Sequence, residues 1–203
     1  MNPDVEIRRL RELMPASGRM YCQIASKPQQ TQVIEMELPL PWKRNNRPIA
    51  INFDLWRQLK GAERDLLLLR SVVWLTDVQW FKPDIYQGLA AIGLVGTIAE
   101  FTQGDVTGVI VAGGLSAIAL RQLWRGYRST KREIEVDEQA LQLATRRGYS
   151  ETEAAKHLLL GIESAAKLER RSSLTFIELL RAQNLRSLAN LSTTRVPQSV
   201  KEE

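Results

Sequence analysis

The sequence feature that most limits the possible folds is a pair of uncharged segments in the middle of the chain. Residues 85–99 (IYQGLAAIGLVGTIA) and 106–120 (VTGVIVAGGLSAIAL) contain no acidic or basic residue and are rich in Gly and Ala. Each segment has 15 residues and would span about 22 Å as a helix, against about 30 Å for the hydrocarbon of a bilayer. The pair predicts a hydrophobic helical hairpin over 85–120, either buried in a soluble core or inserted into a membrane.

The sequence around this hairpin favours the membrane alternative. Small residues recur at a spacing of four in the second segment, which lets helices pack closely in lipid. Cations lie outside both ends of the hairpin, whereas its connecting turn carries Glu100 and Asp105, a distribution that predicts both ends on the cytoplasmic side. Aromatic and basic residues beside the open end are predicted at the membrane interface: Trp80, Tyr86, Arg121, Trp124, Arg125, Tyr127 and Arg128.

Length and composition predict one folded domain with a tail. The chain has 203 residues, of which 44% are apolar and 25% charged, an ordinary balance for a protein with a core. We expect a single domain over 1–190 and a flexible tail over 191–203, because the tail lacks core residues. The first 20 residues carry charges throughout and predict no secretory signal. A net charge of +5 favours an acidic partner, either a membrane surface or nucleic acid.

The remaining pattern predicts an α+β protein that is mostly helical. Residues 3–14 read as an amphipathic helix, and two alternating segments within 20–40 read as a hairpin of strands, with a third short strand over 49–53. Residues 62–80 are apolar almost all round and predict a buried helix. The chain is expected to be helical beyond the hairpin, with breaks at RRGYS (146–150) and RRSSL (170–174). The small N-terminal sheet is predicted to be antiparallel.

One of these helices carries an arrangement typical of half a zinc site. Glu133 and Asp137 are four residues apart, so both project from the same helical face. Residues 132–163 resemble the second motif (R-E-x-x-A-D, then a Gly-Tyr turn) of the HtpX and CAAX-prenyl-protease class of membrane metallopeptidases. Val136 stands where that class usually has Ala. The matching residues are Arg132, Glu133, Asp137, Gly148 and Tyr149. The chain also resembles a family of uncharacterised cyanobacterial proteins.

The metallopeptidase resemblance implies a zincin-like arrangement that has lost its chemistry. The H-E-x-x-H motif of that class would fall on the buried helix at Arg70, Ser71 and Trp74. An arginine offers no lone pair to a metal, a serine is no general base at neutral pH, and an indole only donates. The chain has a single histidine, His157, beyond the second motif. We therefore expect no metal, no cofactor and no enzymatic activity.

The substitution at position 70 suggests what replaced the metal. Loss of a divalent ion would leave the carboxylate of Glu133 buried and unpaired, which costs several kcal/mol. The guanidinium of Arg70 supplies a permanent positive charge and a planar fork that suits a carboxylate. We expect Arg70 to pair with Glu133, with Asp137 as a further partner. In the alternative, Arg70 simply reaches solvent.

Three classes of function remain open from the sequence. The favoured one is a non-catalytic, membrane-associated pseudo-metallopeptidase that binds, chaperones or helps to assemble another membrane protein, in the thylakoid or plasma membrane implied by the cyanobacterial resemblance. The second is an active hydrolase that binds metal through Glu133, Asp137 and His157. The third, less favoured, is nucleic-acid binding through residues 121–132, which carry five cations and two aromatics. The partners expected are membrane lipid and a membrane protein, and the oligomeric state is left open.

Overall fold

The computed structural model describes residues 2–37, 47–77 and 130–191, together with the single residues 95, 102 and 114. The chain forms two compact units, unit 1 (1–78 and 133–203) and unit 2 (79–132). Nearly all of unit 2 lies outside the described residues, so the hairpin over 85–120 stays a prediction. The same holds for the tail beyond Leu191 and for the predicted membrane-interface residues Trp80, Tyr86, Arg121, Trp124, Arg125, Tyr127 and Arg128.

The described chain is mostly helical with one small sheet, which confirms the α+β class. Its elements in chain order are α1 (Pro3–Leu13), α2 (Ala16–Tyr21), β1 (Cys22–Ser26), β2 (Ile34–Met36), β3 (Arg47–Ile51), α3 (Phe53–Trp56), α4 (Gly61–Thr76), α5 (Thr130–Thr145), α6 (Glu151–Leu168) and α7 (Phe176–Leu188). None of the described helices combines the length and the apolarity that crossing a bilayer requires.

The sheet is mixed, and the predicted antiparallel hairpin of the first two strands is wrong. Strand β3 lies in the middle, parallel to β1 with Ile24 opposite Ile49, and antiparallel to β2 with Glu35 opposite Ala50. The reason is burial: Ile49, Ala50 and Ile51 are all buried, which suits a central strand, whereas the three residues of β2 are only partly buried. Alternation within each strand located the strands but carried no information about their order.

Helix α4 is the centre of unit 1. Every residue from Leu66 to Val73 is buried, as the apolar sequence predicted. Helices α1, α2 and α6 and strands β1 and β2 all pack against it. Because neighbours cover α4 on so many sides, a charged side chain within this run must find its partner inside the protein.

The packing around α4 leaves little spare room beside α2. A Cβ atom added to Gly18 of α2 would lie 2.6 Å from the Val72 Cγ1 atom of α4. Real Cβ atoms do not approach other carbons so closely, so glycine allows the two helices to meet at this point.

The predicted breaks between the last helices are confirmed. Helix α5 is followed by a turn in which Gly148 has a φ of +95°, in the left-handed region that favours glycine. The Ser150 hydroxyl accepts a hydrogen bond from the Glu153 backbone N–H and thereby caps the start of α6. Thr175 caps α7 in the same way through the backbone N–H of Glu178. Helix α6 therefore ends at Leu168 and α7 begins at Phe176, with a short connecting segment between them.

Candidate functional site: a buried polar cluster

Five polar side chains from three helices meet inside unit 1, and we call them the polar cluster. Arg70 and Trp74 come from α4, Glu133 and Asp137 from α5, and Arg181 from α7. Within α4 and within α5 the two members are four residues apart, so each helix presents one polar face to the cluster. The cluster thus joins the N-terminal and C-terminal parts of unit 1.

Glu133 accepts hydrogen bonds at both carboxylate oxygens. The Arg70 Nη2 atom donates to Glu133 Oε2 and forms an ion pair with it. The Trp74 indole Nε1 donates to Glu133 Oε1 at 2.9 Å. The predicted contact between Arg70 and Glu133 is therefore present, and Arg70 is buried rather than directed to solvent. Trp74, where the resemblance predicted a lost metal-binding histidine, acts as a hydrogen-bond donor.

Asp137 is the most deeply buried charge of the cluster. Its side chain is 1% exposed. Arg181 binds it through two hydrogen bonds, from Nε to Oδ2 at 2.7 Å and from Nη2 to Oδ1 at 2.9 Å. Arg70 Nε adds a weaker contact to Oδ1 at 3.4 Å. Two guanidinium groups thus face two carboxylates, and the bidentate geometry provides the strong interactions that offset the cost of removing these charges from water.

One predicted residue does not join the cluster, and one cluster residue was not predicted. The Ser71 hydroxyl is buried and donates to the Leu67 carbonyl oxygen at 2.7 Å, so it is satisfied within its own helix. Arg181 lies outside the motif that singled out the other members. The signal that could have found it is position: it precedes the buried Leu185 by one helical turn, on the face of α7 that packs inward.

The donor set does not suit a metal ion. Both carboxylates of the cluster are already held by arginines, whose fixed positive charge opposes the approach of a divalent cation. Across the described part of the chain, no group of three or more His, Cys, Asp or Glu side chains is placed to hold a metal. His157 lies on α6, where its ring meets the Tyr149 ring edge-on at 6.3 Å between centroids.

The single cysteine is also poorly suited to catalysis. Burial raises the pKa of Cys22 to about 11, and the nearby charge of Arg47 lowers it only in part. A thiol with such a pKa is almost entirely protonated at neutral pH, and the thiolate is the nucleophilic form.

A second polar network centres on the buried carboxylate of Glu6. Arg9 donates to both of its oxygens, and Arg64 and the Trp56 indole donate to Oε1 at 2.9 and 3.2 Å. Burial acts to raise the pKa of Glu6, but the hydrogen bonds from Arg9 and Trp56 and the charges of Arg9 and Arg64 together bring it below its usual value. This network ties α1 to α3 and α4.

The same network fixes the turn at Gly148 and Tyr149. Asp65 of α4 accepts from Arg9 at 2.7 Å and from the Tyr149 hydroxyl at 2.9 Å. Burial and the hydrogen bond to Asp65 raise the pKa of Tyr149 to about 12, so its hydroxyl stays protonated and continues to donate. Tyr149 therefore anchors the turn between α5 and α6 to α4.

Comparison with known proteins identifies the family. A family model described as a protein of unknown function (DUF3318) matches residues 8–149 of the chain. The chain belongs to the DUF3318 family. The matched range includes every member of the polar cluster except Arg181. A thylakoid membrane protein of Synechocystis sp. is 28% identical over 156 residues, which cover 75% of this chain and 73% of that protein. No solved structure matches the chain.

These comparisons confirm part of what the sequence predicted. The resemblance to an uncharacterised cyanobacterial family is confirmed by the DUF3318 match and by the Synechocystis relative. The resemblance to HtpX-type metallopeptidases, and the zincin-like arrangement it implies, stay predictions.

Proposed function

We propose that this DUF3318 protein is a non-catalytic, membrane-associated module that holds, chaperones or helps to assemble another membrane protein. The observation that carries the non-catalytic part is that every carboxylate oxygen of the polar cluster already has a partner within the protein. All four carboxylate oxygens of Glu133 and Asp137 accept hydrogen bonds from arginine or tryptophan. A general base or a metal ligand needs a lone pair directed at substrate, water or metal. Each of these oxygens already accepts from an arginine or a tryptophan side chain, and the arginines keep their positive charge beside it.

In this proposal the polar cluster takes the place of a metal as the link between helices. Arg70 connects α4 to both carboxylates of α5, and Arg181 connects α5 to α7. Arginine suits this role because its fork stays charged at any physiological pH. The pseudo-metallopeptidase interpretation rests on this replacement together with the motif spacing of Arg70, Trp74, Glu133 and Asp137.

The membrane part of the proposal has two supports. The segments 85–99 and 106–120 are free of charge, small-residue rich and bordered by cations. A relative that covers three quarters of this chain is a thylakoid membrane protein. The proposed site is therefore the thylakoid membrane, with the plasma membrane as the alternative, and the proposed orientation has both ends of the hairpin cytoplasmic.

Fractionation of cyanobacterial membranes tests this association. The tagged full chain should stay in the pellet after a wash with alkaline carbonate, which strips peripheral proteins. Replacing both Val109 and Val111 by Arg should release it, because each Arg at the centre of a hydrophobic helix costs about 2.5–3.5 kcal/mol of insertion. Replacing the same two residues by Leu is the matched control. Release of the unmodified chain into the carbonate wash would contradict insertion.

Metal analysis and a cleavage assay test the absence of catalysis. The purified chain should contain no stoichiometric zinc, iron or manganese and should not cleave casein or peptides. Glu133→Gln and His157→Gln then serve as probes of the hydrolase alternative. One bound metal per chain, with cleavage that either substitution abolishes, would replace the proposal by that alternative.

The holding role is tested by affinity purification from membranes in mild detergent. A membrane protein should copurify in a fixed ratio with the tagged chain and should comigrate with it on a native gel. The Val109/Val111 double-arginine variant should lose this partner if the partner is met within the membrane. Recovery of the chain alone from intact membranes would contradict the holding role and leave membrane association standing.

A further inference from the structure

Helix α7 begins with two large apolar side chains that the fold leaves in solvent. Phe176 is 70% exposed and Leu179 is 51% exposed. They are three residues apart, so they lie on the same face of the helix. The opposite side of the helix is buried through Arg181 and Leu185, and α7 packs against α6. The exposed pair is therefore not needed for the core, and an apolar pair of this kind on an ordered helix indicates a contact surface.

The turn before this helix is basic. Lys167 and Arg170 are exposed, and neither forms a salt bridge with any of the residues that the structure describes. Arg171 contacts both acidic residues of this segment, Glu169 at 2.8 Å and Glu178 at 2.6 Å, and its single charge offsets one of the two. Residues 167–179 carry three cations and two carboxylates, so a net charge of +1 accompanies the apolar pair, with Lys167 and Arg170 exposed.

The turn is also ordered by its own hydrogen bonds. Arg170 has a φ of +56°, and its backbone N–H donates to the Lys167 carbonyl oxygen at 3.0 Å. Glu169 Oε1 accepts from the Val33 backbone N–H at 2.8 Å, which ties the turn to the residue before β2. The cations and the apolar pair are therefore held by a fixed piece of backbone, and a contact through them costs little ordering entropy.

We propose that residues 167–179 form a second membrane contact that docks on an anionic lipid surface. Phe176 and Leu179 enter the interfacial region, and Lys167 and Arg170 face the negatively charged headgroups. Charge complementarity favours lipid as the occupant, since anionic headgroups match the exposed cations of the segment that leads into an exposed aromatic. The inference rests on the proposed membrane association and adds a contact outside the hairpin.

A fluorophore placed on this surface tests the inference in the full chain. The chain has a single cysteine, so Cys22→Ala provides a background without thiols. Leu179→Cys in that background carries an environment-sensitive dye at the proposed contact. Val5→Cys is the matched control, because Val5 is also a 54% exposed apolar residue on a helix of unit 1. Both proteins are mixed with vesicles of phosphatidylcholine, with and without phosphatidylglycerol, and flotation measures total binding.

The expected result is a blue shift and an intensity gain at position 179 with phosphatidylglycerol vesicles, and no change at position 5. Flotation without a shift at 179 would overturn the second contact and leave the proposed membrane association intact. Absence of flotation would contradict both. A shift at 179 without vesicles that grows with protein concentration would identify a second copy as the occupant and would also overturn the lipid proposal.

The charged residues provide a second, independent measurement. Lys167→Gln together with Arg170→Gln should reduce the shift at 179 with anionic vesicles and leave the smaller response to pure phosphatidylcholine unchanged. Each cation near an anionic surface is worth about a fivefold change, so loss of the pair should lower the docked-to-undocked ratio by up to about thirtyfold at low salt. An unchanged shift in anionic vesicles would contradict the role assigned to these cations.

Discussion

The contact between Asp137 and Arg181 provides the sharpest test of the polar cluster. Arg181→Met removes both short hydrogen bonds of a carboxylate that is 1% exposed and leaves it only the 3.4 Å contact with Arg70. Breaking a buried pair by removing one partner costs about 3–5 kcal/mol. For a protein of this size, 1 kcal/mol corresponds to about 2–4 °C of melting temperature, so we expect the midpoint to fall by about 6–20 °C.

The matching substitution Asp137→Asn completes a double-mutant cycle. Each single variant leaves one buried charge without its main partner, whereas the double variant removes both charges. The loss of unfolding free energy in the double variant should therefore be smaller than the sum of the two single losses by about 2–3 kcal/mol. The assay is urea unfolding of the full chain in mild detergent, followed by far-ultraviolet circular dichroism.

An exposed ion pair between α7 and α6 serves as the control. Arg186 contacts Glu163 at 2.7 Å, but the two side chains are 45% and 30% exposed. Exposed pairs couple by about 1 kcal/mol or less, so the cycle of Arg186→Met and Glu163→Gln should show little interaction. A coupling between Asp137 and Arg181 no larger than that of this control would refute the assignment of the cluster as the link between helices.

Three further predictions follow from the structure. Arg70→Met and Glu133→Gln should couple by about 0.5–3 kcal/mol in the same unfolding assay, and strictly additive losses would contradict the pairing. Gly18→Ala should lower stability by about 1–3 kcal/mol, because the new Cβ meets Val72 at 2.6 Å, and a neutral effect would contradict the close packing. Alkylation of Cys22 at pH 7.5 should be about 100-fold slower than that of a thiol of pKa 9.0, because a pKa near 11 keeps the thiol protonated. The rate should increase as the pH rises, and fast labelling at neutral pH would contradict this prediction.

The helices of unit 1 were predictable where one physical constraint dominated. The largely apolar run of 62–80 predicted a buried helix, and α4 is buried from Leu66 to Val73. A permanent charge within such a run has to meet an opposite charge, and the spacing of Glu133 and Asp137 offered a face with two. The contact of Arg70 with that face was predicted from the resemblance to metallopeptidases, in which the two helices face each other.

The sheet order and Arg181 were not predictable for a different reason. Alternation locates a strand but does not identify its neighbours, and the parallel pairing of β1 with β3 depends on how the intervening chain packs. Arg181 is 44 residues from Asp137, and no local spacing connects the two. Contacts between distant segments are fixed by the packing of whole helices, which a single sequence does not display.

The division of unit 1 into two stretches of chain has a consequence for biosynthesis. Residues 79–132 separate α4 from the carboxylates that its arginine contacts. At about 5–20 residues per second, the ribosome completes α4 roughly 3–10 seconds before it reaches Glu133. Arg70 is therefore synthesised before Glu133 and Asp137, and it lacks these two partners while residues 79–132 are translated. Any factor that binds residues 79–132 during translation therefore acts on a nascent chain in which Arg70 has not yet met Glu133 and Asp137.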